Sequence, residues 1–275
     1  MTSSPRATDR VSDLTADLAL ALRAADVADA VSLPGFEGRG FSVERKADRS
    51  EVTEIDRATE SAISQLLRAE RPDYSLYGEE HGVVGPSDAR RQWVIDPIDG
   101  TSNFVRGVPV WATLVALVDD GIPVLGVVSA PALRRRWWAA AGLGAQHREA
   151  NAMPKVLRVS TVTELRKASA SITVTPSWHD AGKTAQLDRL QRGVARLRNY
   201  GDFWQHMLVA EGAVDFAVDA IGLGPYDIAA IAAIMTEAGG TWSDRHGETN
   251  WRSNSLITSN GRLHGAVVGA LGSDR

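Results

Sequence analysis

The chain of 275 residues contains no cysteine. This absence excludes disulfide bonds and thiolate metal sites, and it favours a reducing compartment, so we expect a cytoplasmic protein. Any bound metal should therefore be held by harder ligands, chiefly oxygen. The N-terminal residues also lack the apolar core of a signal peptide, and no apolar run is long enough to predict a membrane span.

The sequence also lacks an excess of basic residues, and it lacks the motifs of several classes of hydrolase. The formal net charge is −4, so the sequence has no electrostatic footprint for nucleic acid. Its one basic run, Arg134-Arg-Arg136, is short enough to favour a solvated strand edge over an anion-binding patch. The six histidines form no His-x-x-x-His pair, and neither a Gly-x-Ser-x-Gly elbow nor a nucleotide phosphate-binding loop occurs. Zinc hydrolases, serine hydrolases and nucleoside triphosphatases are therefore disfavoured.

The sequence does contain the segment Trp93-Val-Ile-Asp-Pro-Ile-Asp-Gly-Thr-Ser-Asn-Phe104. Its apolar start predicts the end of a buried strand, and the chain then breaks around Pro97, between Asp96 and Asp99. Carboxylates in such a place are costly unless a cation or hydrogen-bond donors satisfy them. With the hydroxyl of Thr101 they suit a divalent metal that binds phosphate. The motif alone also fits a surface turn, but an EF-hand is excluded because no acid closes the loop.

Four motifs in order resemble the signatures of the inositol monophosphatase family, and they span nearly the whole chain. They are Lys46 with Val52-Thr-Glu-Ile-Asp56, Gly78-Glu-Glu80, Asp96-Pro-Ile-Asp-Gly-Thr101 with Asn103-Phe104, and Asp227 leading into Glu237-Ala-Gly-Gly240. Residues 103–111, 127–132 and 135–138 further resemble the histidinol-phosphate phosphatase branch found in actinobacteria. The resemblance implies a magnesium-dependent, lithium-sensitive phosphomonoesterase that acts on a small phosphate ester, usually as a homodimer.

The resemblance also implies a set of metal ligands. Glu79, Asp96 and the backbone carbonyl of Ile98 would hold a first Mg²⁺ ion, for which Mn²⁺ is an expected substitute. Asp96, Asp99 and Asp227 would hold a second ion. A third, weaker ion would lie near Glu79 and be reached through waters. Such acids repel one another strongly when gathered without a cation, because like charges disfavour ionisation of their neighbours.

Catalytic and phosphate-binding roles follow from the same resemblance. Thr101 and Glu79 would orient the attacking water, with Asp56 supporting Thr101. The backbone amides of Gly100 and Thr101 would receive the phosphate, and Asp99 would lie beside it. Two of these assignments have open alternatives. Asp56 also fits a purely structural helix cap, and Lys46 also fits an ordinary surface lysine.

Candidate substrate contacts lie in the second half of the chain. Histidinol phosphate carries an ammonium group and an imidazole, so its pocket should contain acids besides the metal ligands. Gly201 and Asp202 occupy a turn that lines the substrate pocket in relatives, and Asp219 lies where relatives carry an acid that contacts substrate. Either acid is alternatively a solvated loop residue. The chain departs from the family at three places. Tyr226 stands where Trp is usual, and the loop before it is one residue longer than usual. Glu51 stands where Pro or a hydrophobic residue is common.

Three functional hypotheses stay open at this point. The first is hydrolysis of L-histidinol phosphate to L-histidinol and phosphate in histidine biosynthesis. The second is an inositol-1-monophosphatase or a 3′-phosphoadenosine 5′-phosphate phosphatase of the same family. The third is a binding protein without catalysis, which is disfavoured because all the expected acids and Thr101 are present. A part for Glu80 is left open.

Blocks of helices alternate with mostly antiparallel strands, which predicts a layered α+β fold. The resemblance implies an α-β-α-β-α sandwich of the inositol monophosphatase and fructose-1,6-bisphosphatase type. We expect a disordered tail at 1–8 and a single domain at 9–275, with a subdomain join near 149–154. A first helix is predicted over 11–31, ended by the glycine- and proline-containing segment 34–40.

Overall fold

The computed structural model describes residues 7–46 and 50–272. Its helices are α1 (Ala7–Gly38), α2 (Glu54–Glu70), α3 (Thr101–Arg106), α4 (Ser177–Asp180), α5 (Thr184–Gly193), α6 (Asp202–Ala210), α7 (Pro225–Glu237) and α8 (His264–Gly272). Its strands are β1 (Val43–Arg45), β2 (Glu51–Thr53), β3 (Ser75–Gly78), β4 (Gly82–Val84), β5 (Arg91–Asp99), β6 (Ala112–Asp119), β7 (Ile122–Ala130), β8 (Arg135–Ala140), β9 (Gly144–Glu149), β10 (Lys155–Val156), β11 (Ser169–Ile172), β12 (Arg196–Arg198), β13 (Phe216–Asp219), β14 (Thr241–Ser243) and β15 (Leu256–Ser259). None of the helices in this part of the chain is long and apolar enough to cross a membrane.

Two large sheets and three helical layers make up the sandwich, and β1 and β2 form a separate two-stranded sheet. The first sheet has eight strands in the order β10-β9-β8-β7-β6-β5-β3-β4, and the second has five in the order β12-β11-β13-β15-β14. Helices α1 and α2 cover one face of the first sheet, and α6 and α7 lie between the two sheets. Helices α5 and α8 cover the outer face of the second sheet. The predicted α-β-α-β-α sandwich is confirmed.

Strand β5 shows how the sequence directs this layering. Successive side chains of a strand point to opposite faces. Trp93 and Ile95 accordingly enter the apolar cluster under α1 and α2, whereas Val94 enters the cluster around α7. A strand buried on both faces explains the unbroken apolar run before the first acid.

The first helix is longer than the sequence predicts. The helix does end within the predicted segment 34–40, but only at Gly38, so it continues past residue 31 and through Pro34. A proline inside a helix removes a hydrogen bond and costs about 3 kcal/mol. Burial offsets this cost, since the ring of Phe36 lies 5.5 Å from that of Phe104 and 5.4 Å from that of Trp111. Of the predicted tail, residues 1–6 lie outside the described residues, and α1 includes Ala7 and residue 8.

The subdomain join near 149–154 stays a prediction. Strand β10 pairs with β9, so the chain remains in the first sheet as far as Val156. The apolar cluster around α7 includes residues of both sheets, such as Leu114 and Leu256. The single domain at 9–275 stays a prediction, and this shared core is in keeping with it.

The break expected near Pro97 is a bulge inside β5. Asp96 pairs with Leu114 and Asp99 with Ala112, so β5 carries one extra residue between these pairs. A proline is tolerated at a bulge because its missing amide is not needed there. The carbonyl of Pro97 accepts a hydrogen bond from Thr113 Oγ1 at 2.8 Å. The bulge lies between Asp96 and Asp99, so the two acids are three positions apart at the end of the strand.

Candidate active site

Acidic side chains gather where several elements begin or end. Strands β3 and β5 are parallel neighbours, with Gly78 paired to Ile95. The next residue after each of these, Glu79 and Asp96, therefore lies at the same end of the sheet. Asp56 and Asp227 lie in the first turns of α2 and α7. The amide-rich start of a helix favours negative charge.

One oxygen each from Asp96, Asp99 and Asp227 lies within 4.8 Å of the others. Asp96 is only 1% exposed, and its Oδ1 has no hydrogen-bond partner among the described residues. Burial, followed by the negative charges of Glu79 and Asp227, raises the pKa of Asp96 well above its usual value. Burial also raises the pKa of Asp99 well above the usual value. A cluster of carboxylate oxygens with an unpaired buried atom fits a hard divalent cation.

Backbone amides hold two of these carboxylates in place. Asp99 Oδ2 accepts a hydrogen bond of 2.6 Å from the amide of Phe203, at the start of α6. Asp227 Oδ2 accepts one of 2.6 Å from the amide of Gly224, the N-cap residue of α7. Each of these acids therefore has one oxygen held by a backbone amide.

Lys46 connects two acids that follow β3. Its Nζ lies 2.8 Å from Glu79 Oε1 and 2.6 Å from Glu80 Oε1. Burial lowers the pKa of Lys46, but the hydrogen bonds to the two glutamates outweigh it, so the pKa lies above its usual value. Burial raises the pKa of Glu79 to about 7 although Lys46 opposes this shift. The structure thus places Lys46 inside the acidic cluster, and Glu80 contacts that lysine.

Asp56 makes both of the contacts that the sequence left as alternatives. Its Oδ2 accepts hydrogen bonds from the backbone amide and Oγ1 of Thr53, at 2.8 and 2.5 Å, which completes the capping box of α2. Its Oδ1 lies 3.2 Å from Thr101 Oγ1. That hydroxyl also lies 2.9 Å from the carbonyl oxygen of Ile98. Asp56 therefore links the start of α2 to the turn after β5.

A glycine is required at position 100. Gly100 has φ of 82°, a left-handed conformation that L residues rarely adopt. A Cβ there would lie 3.0 Å from the carbonyl oxygen of Val110 and 3.3 Å from Asp202 Oδ2. Asn103 Nδ2 donates 2.8 Å hydrogen bonds to these same two oxygens. The tight turn thus brings Asp202 of α6 against the start of α3.

A cavity of about 500 Å³ lies beside the cluster. Four of the predicted site residues line it, namely Glu79, Gly100, Thr101 and Asp202. Further charged residues in its wall are Arg45, Glu51 and Arg106. Burial, followed by the charge of Asp227, raises the pKa of Asp202 to about 6, and the bond from Asn103 opposes this shift.

Asp219 and Gly201 lie outside this wall. Asp219 is 7% exposed and its Oδ2 accepts hydrogen bonds from Thr173 Oγ1 at 3.1 Å and Gln205 Nε2 at 3.3 Å. Burial, followed by the charge of Asp202, raises its pKa to about 8. Gly201 precedes α6 with φ of 76° and shapes the turn before Asp202. Substrate contact by either residue stays a prediction.

The unusual loop before Asp227 is tied to the second sheet. The amides of Gly222 and Leu223 donate hydrogen bonds to the carbonyl of Asn254 at 3.0 and 3.1 Å. The ring of Tyr226 packs edge-on against Tyr77, with 6.2 Å between centroids. Burial, followed by the charge of Glu79, raises the pKa of Tyr226. The phenol that replaces the usual tryptophan is therefore neutral and packs beside β3.

The supporting roles of two residues were not predicted from the sequence. Glu60 is fully buried in α2, and it accepts hydrogen bonds from the amides of Glu80 and His81 at 2.8 and 2.9 Å. Asn103 belongs to a recognised motif, but its bond to Asp202 spans 99 positions of the chain. A signal for Glu60 was available, because it lies four residues after Asp56 on the buried face of α2.

The layered fold and the buried oxygen cluster define a class of α+β proteins whose acidic site could hold a hard metal ion. The model of the inositol monophosphatase family matches residues 13–273, and the chain belongs to this family. The predicted resemblance is confirmed.

Individual relatives agree with this placement. The chain is 45% identical over 255 residues to a histidinol-phosphatase of Mycobacterium tuberculosis, covering 93% of this chain and 97% of that protein. It is 45% identical over 263 residues to a histidinol-phosphatase of Streptomyces coelicolor, covering 94% and 98%. Among solved structures, the IMPase of Thermotoga maritima matches with a TM-score of 0.81 and 33% identity, covering 93% of this chain and 96% of that one. The suhB suppressor protein of Bartonella henselae matches with a TM-score of 0.85 and 25% identity, covering 94% and 100%.

Proposed function

We propose that the chain is a phosphoric monoester hydrolase that converts L-histidinol phosphate and water to L-histidinol and phosphate. The observation that carries the proposal is the 45% identity, over more than nine-tenths of the chain, to two histidinol-phosphatases. The intact acidic cluster supports it. The reaction belongs to histidine biosynthesis, and we assign it to a cytoplasmic homodimer.

Magnesium is the proposed cation. Glu79, Asp96 and the carbonyl of Ile98 would hold one ion, and Asp96, Asp99 and Asp227 a second, with a third held weakly near Glu79. When bound, such ions neutralise the charge of the phosphate and lower the pKa of water beside it. The unpaired Oδ1 of Asp96 supports this assignment, because a buried carboxylate oxygen without a donor is otherwise unfavourable.

The protein's own groups orient the reactants. The Thr101 hydroxyl can donate its one proton to Asp56 Oδ1 or to the Ile98 carbonyl, which leaves its oxygen to accept a hydrogen bond from the attacking water. Asp56 is itself held by Thr53, which fixes the direction of that hydroxyl. The amides of Gly100 and Thr101 open α3 and have no partner within the helix, so they suit a phosphate oxygen. We assign Asp202, in the cavity wall, to the cationic end of the substrate, and we retain Asp219 as a second acid behind it.

A comparison of phosphate esters tests this proposal. Purified protein with Mg²⁺ is assayed for phosphate release from L-histidinol phosphate, inositol 1-phosphate and 3′-phosphoadenosine 5′-phosphate. We expect the highest kcat/KM on histidinol phosphate, and almost no activity in a folded Asp96→Asn protein. Higher kcat/KM on inositol 1-phosphate would favour the inositol-phosphatase alternative, and near-normal turnover by Asp96→Asn would contradict the metal assignment.

A further inference from the structure

Glu51 lines the active-site cavity and has a carboxylate oxygen without a hydrogen-bond partner among the described residues. It is the first residue of β2, and its side chain is 17% exposed. Its Oε2 is buried and has no hydrogen-bond partner among the described residues. A carboxylate oxygen that is withdrawn from water without a donor is unfavourable until a donor reaches it.

The cations near Glu51 do not satisfy this oxygen. Arg106 Nη1 is 3.6 Å from Oε2, beyond hydrogen-bond distance, and 65% of its side chain is exposed. The same nitrogen donates instead to the hydroxyl and carbonyl oxygens of Ser102. Arg45 is the cross-strand neighbour of Glu51 and also lines the cavity, but the described residues show no ion pair between them.

The other acids in the cavity wall each have one oxygen bound by the protein. Glu79 Oε1 binds Lys46, and Asp202 Oδ2 accepts a hydrogen bond from Asn103. Glu51 differs because its buried Oε2 has no hydrogen-bond partner among the described residues, so this oxygen can accept from a ligand that donates a hydrogen bond. A substrate cation would supply both the donor and the opposite charge.

We propose that Glu51 is a specificity-determining residue that accepts a hydrogen bond from the cationic group of an aminated phosphate ester. The inference rests on the proposed function, in which the ester is histidinol phosphate and the cation is its ammonium or its protonated imidazole. Glu51 thereby selects cationic esters over neutral ones and takes no part in cleavage of the phosphate bond.

The test compares substrates that differ in charge. Steady-state kinetics are measured for Glu51→Gln on L-histidinol phosphate, on ethanolamine phosphate as a second cationic ester, and on glycerol 2-phosphate as a neutral one. We expect KM to rise about tenfold or more for the cationic esters, as for a lost hydrogen bond to a charged group. The KM for glycerol 2-phosphate should stay within about twofold, and kcat should change little on every ester. Calorimetry should show weaker binding of L-histidinol itself.

Two further variants separate recognition from support of the fold. Glu51→Asp keeps the charge and should give KM values between those of the parent and Glu51→Gln. Arg106→Gln removes the nearest cation and should change kcat/KM by a similar factor on cationic and neutral esters. If Glu51→Gln raised KM equally for cationic and neutral esters, the proposal would be overturned. It would also be overturned if Arg106→Gln lost activity on cationic esters as selectively as Glu51→Gln does.

Failure of the proposed function is distinguishable from failure of this inference. A parent that is inactive on histidinol phosphate would refute the assigned substrate alone, because ethanolamine and glycerol phosphates still report the selection by charge. A parent active on histidinol phosphate whose KM does not respond to Glu51→Gln would refute the role of Glu51 alone.

Discussion

Replacing Gly78 with alanine should displace Glu60, which supports the active-site segment after β3. A Cβ at this position would lie 2.0 Å from Glu60 Oε1 and 2.3 Å from its Cδ. Glu60 is fully buried, so its carboxylate has no solvent-filled space to enter. It would have to release the amides of Glu80 and His81, and these residues follow directly after Glu79.

The magnitude follows from the two amide hydrogen bonds at risk; the His81 ring, with Nδ1 2.9 Å from Glu60 Oε1, is a third contact that is more exposed and is left out of the sum. Hydrogen bonds to charged groups contribute about 1.5–3 kcal/mol each, and partial adjustment of the side chain retains some of this. Gly78 has no positive φ, so alanine fits its backbone and recovers about 0.4–1 kcal/mol through the unfolded state. We therefore expect Gly78→Ala to lower the free energy of unfolding by about 2–4 kcal/mol.

The measurement is urea denaturation in the presence of a chelator, followed by calorimetric titration with Mg²⁺. Gly265→Ala is the matched control, because a Cβ on this exposed helical glycine has no atom within 4 Å. The control should be neutral or more stable by up to about 1 kcal/mol. Glu60→Asp shortens the side chain, so Gly78→Ala should cost less in that background. Equal unfolding midpoints and equal metal affinity for parent and Gly78→Ala would refute the reasoning.

Three other perturbations have definite expected outcomes. Thr101→Ala should lower kcat about 100- to 10,000-fold while calorimetry shows metal affinity largely unchanged, and Thr101→Ser should recover much of the rate. Arg136→Leu should lower the free energy of unfolding in urea by about 3 kcal/mol, because it removes the guanidinium that lies 2.7 Å from Asp29. The control Arg134→Leu changes an exposed neighbour and should have little effect. Burial lowers the pKa of His206 to about 3 from its usual 6.5. The unfolded chain therefore binds the extra proton between these values, so stability should fall by up to about 1.4 kcal/mol per unit as pH drops from 6.5 towards 3, and His206→Asn should flatten that slope.

Local chemistry made much of the site predictable. The capping box of Thr53 and Asp56 was readable because both partners lie within one helical turn. The acids that end the apolar runs of β3 and β5 could be located in the sequence, but their site roles came from the family resemblance. Their meeting depends on the parallel pairing of β3 with β5, which the sequence did not predict. The layered fold followed from the order of the elements together with the family resemblance.

Tertiary packing explains what the sequence did not reveal. The prediction that 134–136 is a solvated edge was wrong for Arg136, which is 9% exposed and reaches Asp26 and Asp29 of α1 at 2.7 Å. Neither partner is near it in the chain. The persistence of α1 through Pro34 depends likewise on aromatic rings from another segment. Such contacts leave no local pattern in composition or spacing.

The protein's own donors, rather than a metal alone, determine where the site's carboxylates lie. Asp99 and Asp227 each have one oxygen bound by a backbone amide at the start of a helix, and Asp56 is held in the same way by Thr53. Because these donors belong to the fold, the carboxylates are positioned even though burial raises the pKa values of Asp99, Asp227 and Asp56. Asp96 differs, since its Oδ1 has no such donor. Removal of the Asp96 charge should therefore affect metal affinity more directly than it affects the position of the other acids.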